Sequence, residues 1–242
     1  MAVPSGIFVV GTDTNVGKTA VACALLRMLR EHGIDAVGFK PVATGVECGR
    51  WLDAELLCAT SEHCEPVETI CPQRFAMPLA PVQAARREGR TVDLQLAREK
   101  LGLLLAKHSF VVAEGIGGLL VPLDERTLSI DFVKQTGFPA LVVARAVLGT
   151  VNHTLLSVQA LQKAQIPICG IVINVTQDVD AENVAPSREE IERHTTCRVI
   201  AVCPYNPYAY SALRLNREVL SNLGIRHDPT KGPIALGPER QR

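Results

Sequence analysis

GTDTNVGKT, residues Gly11 to Thr19, is the stretch on which the fold turns. It follows a short apolar run, Gly6–Val10, of a strand's length. It opens a helix-length run, Val16–Glu31, with Val21, Leu25, Leu26 and Leu29 on one face. A glycine loop between a strand and a helix, ending in Lys-Thr, has the context of a phosphate site. Backbone N–H groups of such a turn point at an anion, and the helix dipole assists them. Lys18 would reach the outer phosphates, and the Thr19 hydroxyl would ligate Mg²⁺. The spacing is unusual, with five residues between the glycines instead of four. Thr12 stands where the common pattern has its first glycine, and Gly11 comes one residue earlier.

Working outward, strand and helix alternate along the chain. Strands are expected at Ala36–Phe39, Phe110–Ala113, Ala140–Ala144, Ile168–Ile173 and Val199–Val202. Helices are expected at Leu52–Ala59, Leu94–Lys107, Ile130–Gln135, Thr154–Lys163, Ser187–His194 and Ala209–Leu223. The helix at Ser187 opens with Ser187-x-x-Glu190, a capping box. Ser61 to Pro81 is rich in proline and polar residues and reads as an irregular excursion. Continuous apolar strands alternating with helices predict an α/β fold: P-loop NTPase-like, with a mostly parallel central sheet and helices on both faces. Residues 1–227 read as one domain, and 228–242 as a flexible tail.

Composition narrows the function classes. The chain has 242 residues, 47% hydrophobic and 21% charged, with a formal net charge of zero. That is an ordinary globule with no broad basic face, which argues against nucleic acid as a partner. No export signal is read, and no apolar stretch reaches the roughly 20 residues of a membrane span. The eight cysteines form no CxxC pair and match no common zinc spacing, so free thiols in the cytoplasm are expected.

Other stretches carry groups that phosphoryl transfer needs. Glu114 follows the buried run Phe110–Ala113, where an acid can ligate Mg²⁺, and Gly115, Gly117 and Gly118 let the backbone approach a ligand. Lys40, in GFKPVATG, sits past the second strand at the carboxyl edge of the sheet, where open α/β sheets bind ligands. It can hold a carboxylate or a moving phosphoryl group by charge. Asp53 by itself reads as a helix-start acid. Asn174 ends the strand GIVIN and could meet an adenine edge, or simply form a turn.

Together these stretches resemble the ATP-dependent dethiobiotin synthetase family, from about Gly6 to Tyr205. The matching motifs are GTDTNVGKT (11–19), GFKPVATG (38–45), Asp53, RFAMPLAP (74–81), VAEGIGGLLVPL (112–123), LGTVNHTLL (148–156) and the strand ending in Asn174. The resemblance implies ATP, Mg²⁺, 7,8-diaminopelargonic acid and CO₂ or bicarbonate as ligands, and a homodimer. It implies a carbamate at the N7 amine, a carbamic–phosphoric anhydride, and ring closure by the second amine. It casts Lys18 and Lys40 as the catalytic lysines, and Thr19, Asp53 and Glu114 as the Mg²⁺ ligands. The nucleotide would meet Asn15, Val16, Gly17, Lys18, Thr19, Ala20, Glu114, Gly115, Ile116, Gly117, Asn174, Val175, Cys203, Pro204 and Tyr205. The diamine would meet Thr14, Thr44 and Asn152, the last in a segment that touches the partner subunit.

Some positions depart from the family pattern. Val82 stands where many relatives have histidine, and Val175 where aspartate is common. Two rivals share the loop type. Cobyrinic acid diamide synthetases carry a glutamine-hydrolysing domain that this chain is too short to hold. Partitioning and septum-positioning ATPases carry a signature lysine near the loop's start, where this chain has Asp13.

Overall fold

Strand β1 (Gly6–Gly11) is buried at five consecutive positions. Alternate side chains of a strand point to opposite faces, so such a strand is covered on both. The computed structural model describes residues 6–177, 182, 184–205, 219 and 220. Its remaining strands are β2 (Ala36–Phe39), β3 (Ala43–Thr44), β4 (Arg74–Phe75), β5 (Phe110–Gly118), β6 (Ala140–Arg145), β7 (Ile168–Asn174) and β8 (Val199–Cys203). Its helices are α1 (Lys18–Glu31), α2 (Leu52–Thr60), α3 (Val67–Ile70), α4 (Pro81–Arg87), α5 (Leu94–Lys107), α6 (Ser129–Thr136), α7 (Thr150–Lys163) and α8 (Val184–His194). Six strands form one sheet in the order β2-β5-β1-β6-β7-β8. Every neighbouring pair is parallel. This is the expected α/β architecture.

From β1 the chain runs through α1 to the β2 side, then crosses back to lay down β6, β7 and β8. The reversal sits at β1, so the crevice at its carboxyl end is where an open α/β sheet takes a ligand. Helix α1 is more deeply set than a one-faced helix. Eleven of its fourteen residues are buried, because it packs on β1, β2 and β5 and is covered by α2. A helix apolar all round is an interior helix. Leu25, Leu26 and Leu29 are each fully buried, and each such side chain contributes about 1.5–3 kcal/mol.

Several elements differ from the sequence expectation. The segment 61–81 is ordered: it holds α3 and β4, and β4 pairs parallel with β3 in a small second sheet. Helix α4 follows with Pro81 in its first turn, where the missing N–H costs nothing. Helix α1 begins at Lys18 and not Val16, because Asn15 and Gly17 have φ of 58° and 95°. Helix α7 begins at Thr150, four residues before the expected start. Helix α8 begins at Val184, so Ser187 lies inside it and does not cap it. Pro186 did not stop that helix, since a first-turn N–H has no intrahelical partner. Strand β5 runs on through its glycines to Gly118, because β1 pairs with it at Val9–Glu114 and Gly11–Gly118. Glu114 is therefore inside the strand and not beyond it. The expected helix Ala209–Leu223 lies outside the described residues except for Val219 and Leu220, which are helical. The expected tail lies wholly outside them.

Candidate active site

The loop between β1 and α1 is pinned from below. Thr12 N–H donates to Val143 O at 3.0 Å. The Asn174 side-chain amide, at the end of β7, donates to Val16 O at 3.0 Å. A Cβ on Gly17 would stand 2.1 Å from that amide nitrogen. Gly17 is thus glycine for two reasons, its left-handed φ and the asparagine against it. Gly17 is the N-cap of α1 and supplies no side-chain cap. The first N–H groups of the helix are left for an anion.

Around the loop's end four side chains, Thr19, Asp53, Glu114 and Lys40, form one hydrogen-bonded cluster, with Lys18 beside it. Thr19 Oγ1 lies 2.9 Å from Asp53 Oδ1 and 2.8 Å from Glu114 Oε1. Lys40 Nζ donates to Glu114 Oε1 at 2.8 Å and to Gly115 O at 3.3 Å. It also lies 3.1 Å from Asp53 Oδ2. Lys18 Nζ donates to Asp13 O at 2.8 Å. Lys40 and Glu114 are 1% and 0% exposed, so their charges answer to each other and not to water.

The sheet register produces this meeting. Phe39 pairs with Ala113 and Val9 with Glu114. The residue after Phe39 is therefore level with Glu114. Lys40 stands at the carboxyl edge of the sheet as expected; β5 lies between β2 and β1, and Glu114 is the group that links Lys40 to Thr19. Lys40 N–H donates to Ile70 O at 2.8 Å. Asp53 comes in on the first turn of α2, which Ser61 ties to β2: its Oγ accepts Gly38 N–H at 2.9 Å. Ser61 and Ile70 escaped the sequence reading, because a small polar residue and a backbone carbonyl carry no local mark of such a task.

Burial and charge set the protonation states. Burial alone would lower the Lys40 pKa, but the Asp53 and Glu114 carboxylates outweigh it and leave Lys40 above its ordinary value. Lys40 holds Asp53 below the usual carboxylate range, against the partial loss of solvent around that half-exposed carboxylate. Burial pushes Glu114 up, against the pull of Lys40. Burial, followed by repulsion from Lys40, brings Lys18 down to about 8.

The oxygen set fits a hard divalent cation. A hydroxyl has one proton, so Thr19 donates to only one of its two carboxylate neighbours at a time. Glu114 Oε2 is buried with no hydrogen-bond partner among the described residues. Two carboxylates and a hydroxyl, short of donors and beside an anion site, suit Mg²⁺ completed by phosphate oxygens and water. The described residues hold no cluster of three or more His, Cys, Asp or Glu suited to a metal.

The other expected residues fall as follows. Val175 N–H donates to Cys203 O at 2.9 Å, which joins the ends of β7 and β8. Val175 and Cys203 are buried, while Pro204 and Tyr205 are exposed beyond them. Thr14 and Asn15 are exposed on the loop, and Thr14 faces Gly117 across it. Gly115 is buried, and Ile116 and Gly117 are half-buried. Thr44 is half-buried on β3, outside the hydrogen-bonded cluster. Asn152 is exposed on α7, likewise outside it. A cavity of about 650 Å³ lined by Arg50, Glu55, Cys58, His63 and Val67 shares none of the cluster's groups. All eight cysteines are free. No helix among the described residues is long and apolar enough to cross a membrane.

Comparisons with known proteins bear on this arrangement. The family model for the AAA domain matches residues 5–211. The chain is 52% identical over 202 residues to the ATP-dependent dethiobiotin synthetase BioD of Anaeromyxobacter dehalogenans (strain 2CP-C), covering 84% of this chain and 91% of that one. It is 41% identical over 209 residues to the protein of the same name from Nitrosospira multiformis, covering 85% and 91%. Among solved structures it is similar to the cell division ATPase MinD of Pyrococcus furiosus. The TM-score is 0.56 at 18% identity, over 95% of this chain and 93% of that one. That last likeness bears on the fold alone.

Proposed function

The chain belongs to the AAA domain family and, within it, to the ATP-dependent dethiobiotin synthetases; we propose that it closes the ureido ring of dethiobiotin from 7,8-diaminopelargonic acid, CO₂ and ATP. It is an ATP-dependent cyclo-ligase. The observation that carries the finer reading is the cluster of Lys40, Glu114, Asp53 and Thr19 at the end of the phosphate loop.

The chemistry asks the protein to position groups and neutralise charge. CO₂ and the N7 amine give a carbamate with loss of a proton. A carbamate oxygen attacks the γ-phosphorus, ADP leaves, and a carbamic–phosphoric anhydride results. The second amine attacks the carbonyl carbon and gives up a proton, phosphate departs with the bonding pair, and the ring closes. In this reading the α1 N-terminus and Lys18 hold the β- and γ-phosphates. Lys40, kept cationic by its two carboxylates, steadies the carbamate and the moving phosphoryl group. Thr19, Asp53 and Glu114 would hold Mg²⁺, which would supply positive charge against the charge that develops on the phosphates. Asn174, Val175, Cys203, Pro204 and Tyr205 line the base, with Asn174 also tethering Val16. Thr14 and Thr44 meet the diamine.

Residues 1–227 act as one ligase unit in this reading, working in the reducing cytoplasm that eight free thiols suit. A homodimer is supported by exposed leucines at the start of α7, one in the turn before it and one on the helix. Leu148 is 99% and Leu156 57% exposed, with exposed Asn152 between them in the chain. A second copy covering those leucines would bring Asn152 to the substrate's carboxylate tail.

The test is ADP release from MgATP and bicarbonate with and without the diamine, with mass spectrometry for dethiobiotin. Diamine-dependent ADP with product is the expected result. ADP release indifferent to the diamine would overturn the substrate assignment.

A further inference from the structure

Asp13 puts a carboxylate into a loop that binds polyphosphate. Its backbone serves the loop: Asp13 O accepts the Lys18 ammonium at 2.8 Å. Its Oδ1 accepts Thr14 N–H at 2.7 Å. Its second oxygen, Oδ2, lies 3.7 Å from the Arg145 guanidinium. Asp13 is the one carboxylate within ion-pair distance of Arg145 among the described residues.

The sheet delivers Arg145 to that place. Arg145 ends β6, the strand beside β1, and pairs in register with Asn174 at the end of β7. Ala146 N–H donates to Asn174 O at 3.1 Å, and Val147 N–H to Arg145 O at 3.0 Å, so its backbone is fixed on both sides. Two neighbouring strand ends thus reach the same loop. One holds Val16 through Asn174, and the other faces Asp13 through Arg145. The two charged side chains are 37% and 53% exposed, so their pairing adds little to stability. Its consequence lies in where the carboxylate points and what charge the incoming phosphates meet.

We propose, building on the ligase reading above, that Arg145 is a positioning residue for nucleotide binding. It neutralises Asp13 and holds that carboxylate away from the polyphosphate, while the Asp13 backbone and Oδ1 organise Lys18 and Thr14. A positive side chain would serve this purpose whatever its shape, and a neutral residue at 13 would make it unnecessary.

The experiment compares MgATP binding by titration calorimetry, and steady-state turnover with the diamine, for the wild type, Arg145→Ala, Arg145→Lys, Asp13→Asn and the Asp13→Asn/Arg145→Ala double variant. Arg145→Ala is expected to weaken ATP binding about tenfold while kcat stays within about twofold. Arg145→Lys recovers most of the loss. The double variant binds within about twofold of Asp13→Asn alone, because the effect of Arg145 runs through Asp13. A double variant as weak as Arg145→Ala would mean that Arg145 touches the nucleotide itself, and would overturn the proposal. So would an Arg145→Ala variant that binds ATP like the wild type. Thermal unfolding checks each variant, and Arg145→Lys and the double variant keep the comparison open should Arg145→Ala unfold. The binding arm needs no turnover. A wild type that binds MgATP but makes no dethiobiotin would sink the ligase reading and leave the Arg145 comparison standing.

Discussion

Lys40 Nζ and Glu114 Oε1 stand 2.8 Å apart with side chains 2% and 1% exposed. Removing one partner of such a buried pair leaves the other charge uncompensated, at a cost of about 3–5 kcal/mol. Lys40→Ala is therefore expected to lower stability by about that amount and to abolish ring closure, while ATP binding survives. Denaturant unfolding, MgATP titration and product mass spectrometry check the three parts. Loss of ATP binding with turnover intact would contradict the assigned role.

Lys18 gives a pH signature. Its pKa falls from 10.5 to about 8 in the folded chain. Between those values the unfolded chain binds a proton that the folded chain lacks, so stability from this group rises with pH from about 8 to 10.5. Below about 8 both forms are protonated and the cost of the buried ammonium is fully present. Bound phosphates favour the cation, so ATP binding at about pH 8.5 should take up a proton. Calorimetry in two buffers of different ionisation enthalpy measures it. Equal heats in both buffers would rule it out.

Asp53 separates metal binding from folding. Its side chain is 42% exposed, so solvent screens its pairing with Lys40. Asp53→Asn is expected to leave the melting temperature nearly unchanged and to raise the Mg²⁺ concentration for half-maximal activity about tenfold or more. A Mg²⁺ titration of ADP release reads it, and an unshifted curve would remove Asp53 from the metal set.

Asn174→Ala removes a buried hydrogen bond and leaves Val16 O without its partner. The expected loss is about 1–3 kcal/mol of stability. The loop it tethers loosens, so KM for ATP should rise with a smaller change in kcat. Should KM hold steady, the tether has no bearing on binding.

Leu148→Asp places a charge at the exposed leucine in the turn that leads into α7. If that surface joins two copies, sedimentation should report a monomer in place of a dimer, with the secondary structure of each copy kept. An unchanged sedimentation coefficient would point the assembly elsewhere.

Much of the fold was legible because its signals are local. The strand–loop–helix unit at Gly6–Glu31 announces itself by an apolar run, two glycines and Lys-Thr. The later strands did so by short apolar runs. Boundaries were less legible where a neighbour overrode local preference. The expected strand stops at Ala113, yet β5 runs on through the glycines after Glu114 because β1 runs beside them. Ser187 reads as the cap of its helix, yet α8 begins three residues earlier, at Val184. The small sheet of β3 and β4 was not legible, since neither two-residue strand has a pattern of its own.

The sequence by itself determined that a phosphate-binding loop sits between the first strand and first helix of an α/β chain, because contacts within about 20 residues decide that. It also named Lys18, Thr19, Lys40 and Glu114 as residues of the right chemistry. Only the tertiary structure decided that Lys40 and Glu114, 74 positions apart, are one buried pair. The parallel register of β2 on β5 sets them level, and burial raises the strength of every charge between them. The same is true of Asp53, which reads in sequence as a plain helix-start acid. It becomes part of the cluster because α2 packs over α1 and β2. Distances between side chains are fixed by register and packing, and neither is written in the spacing along the chain.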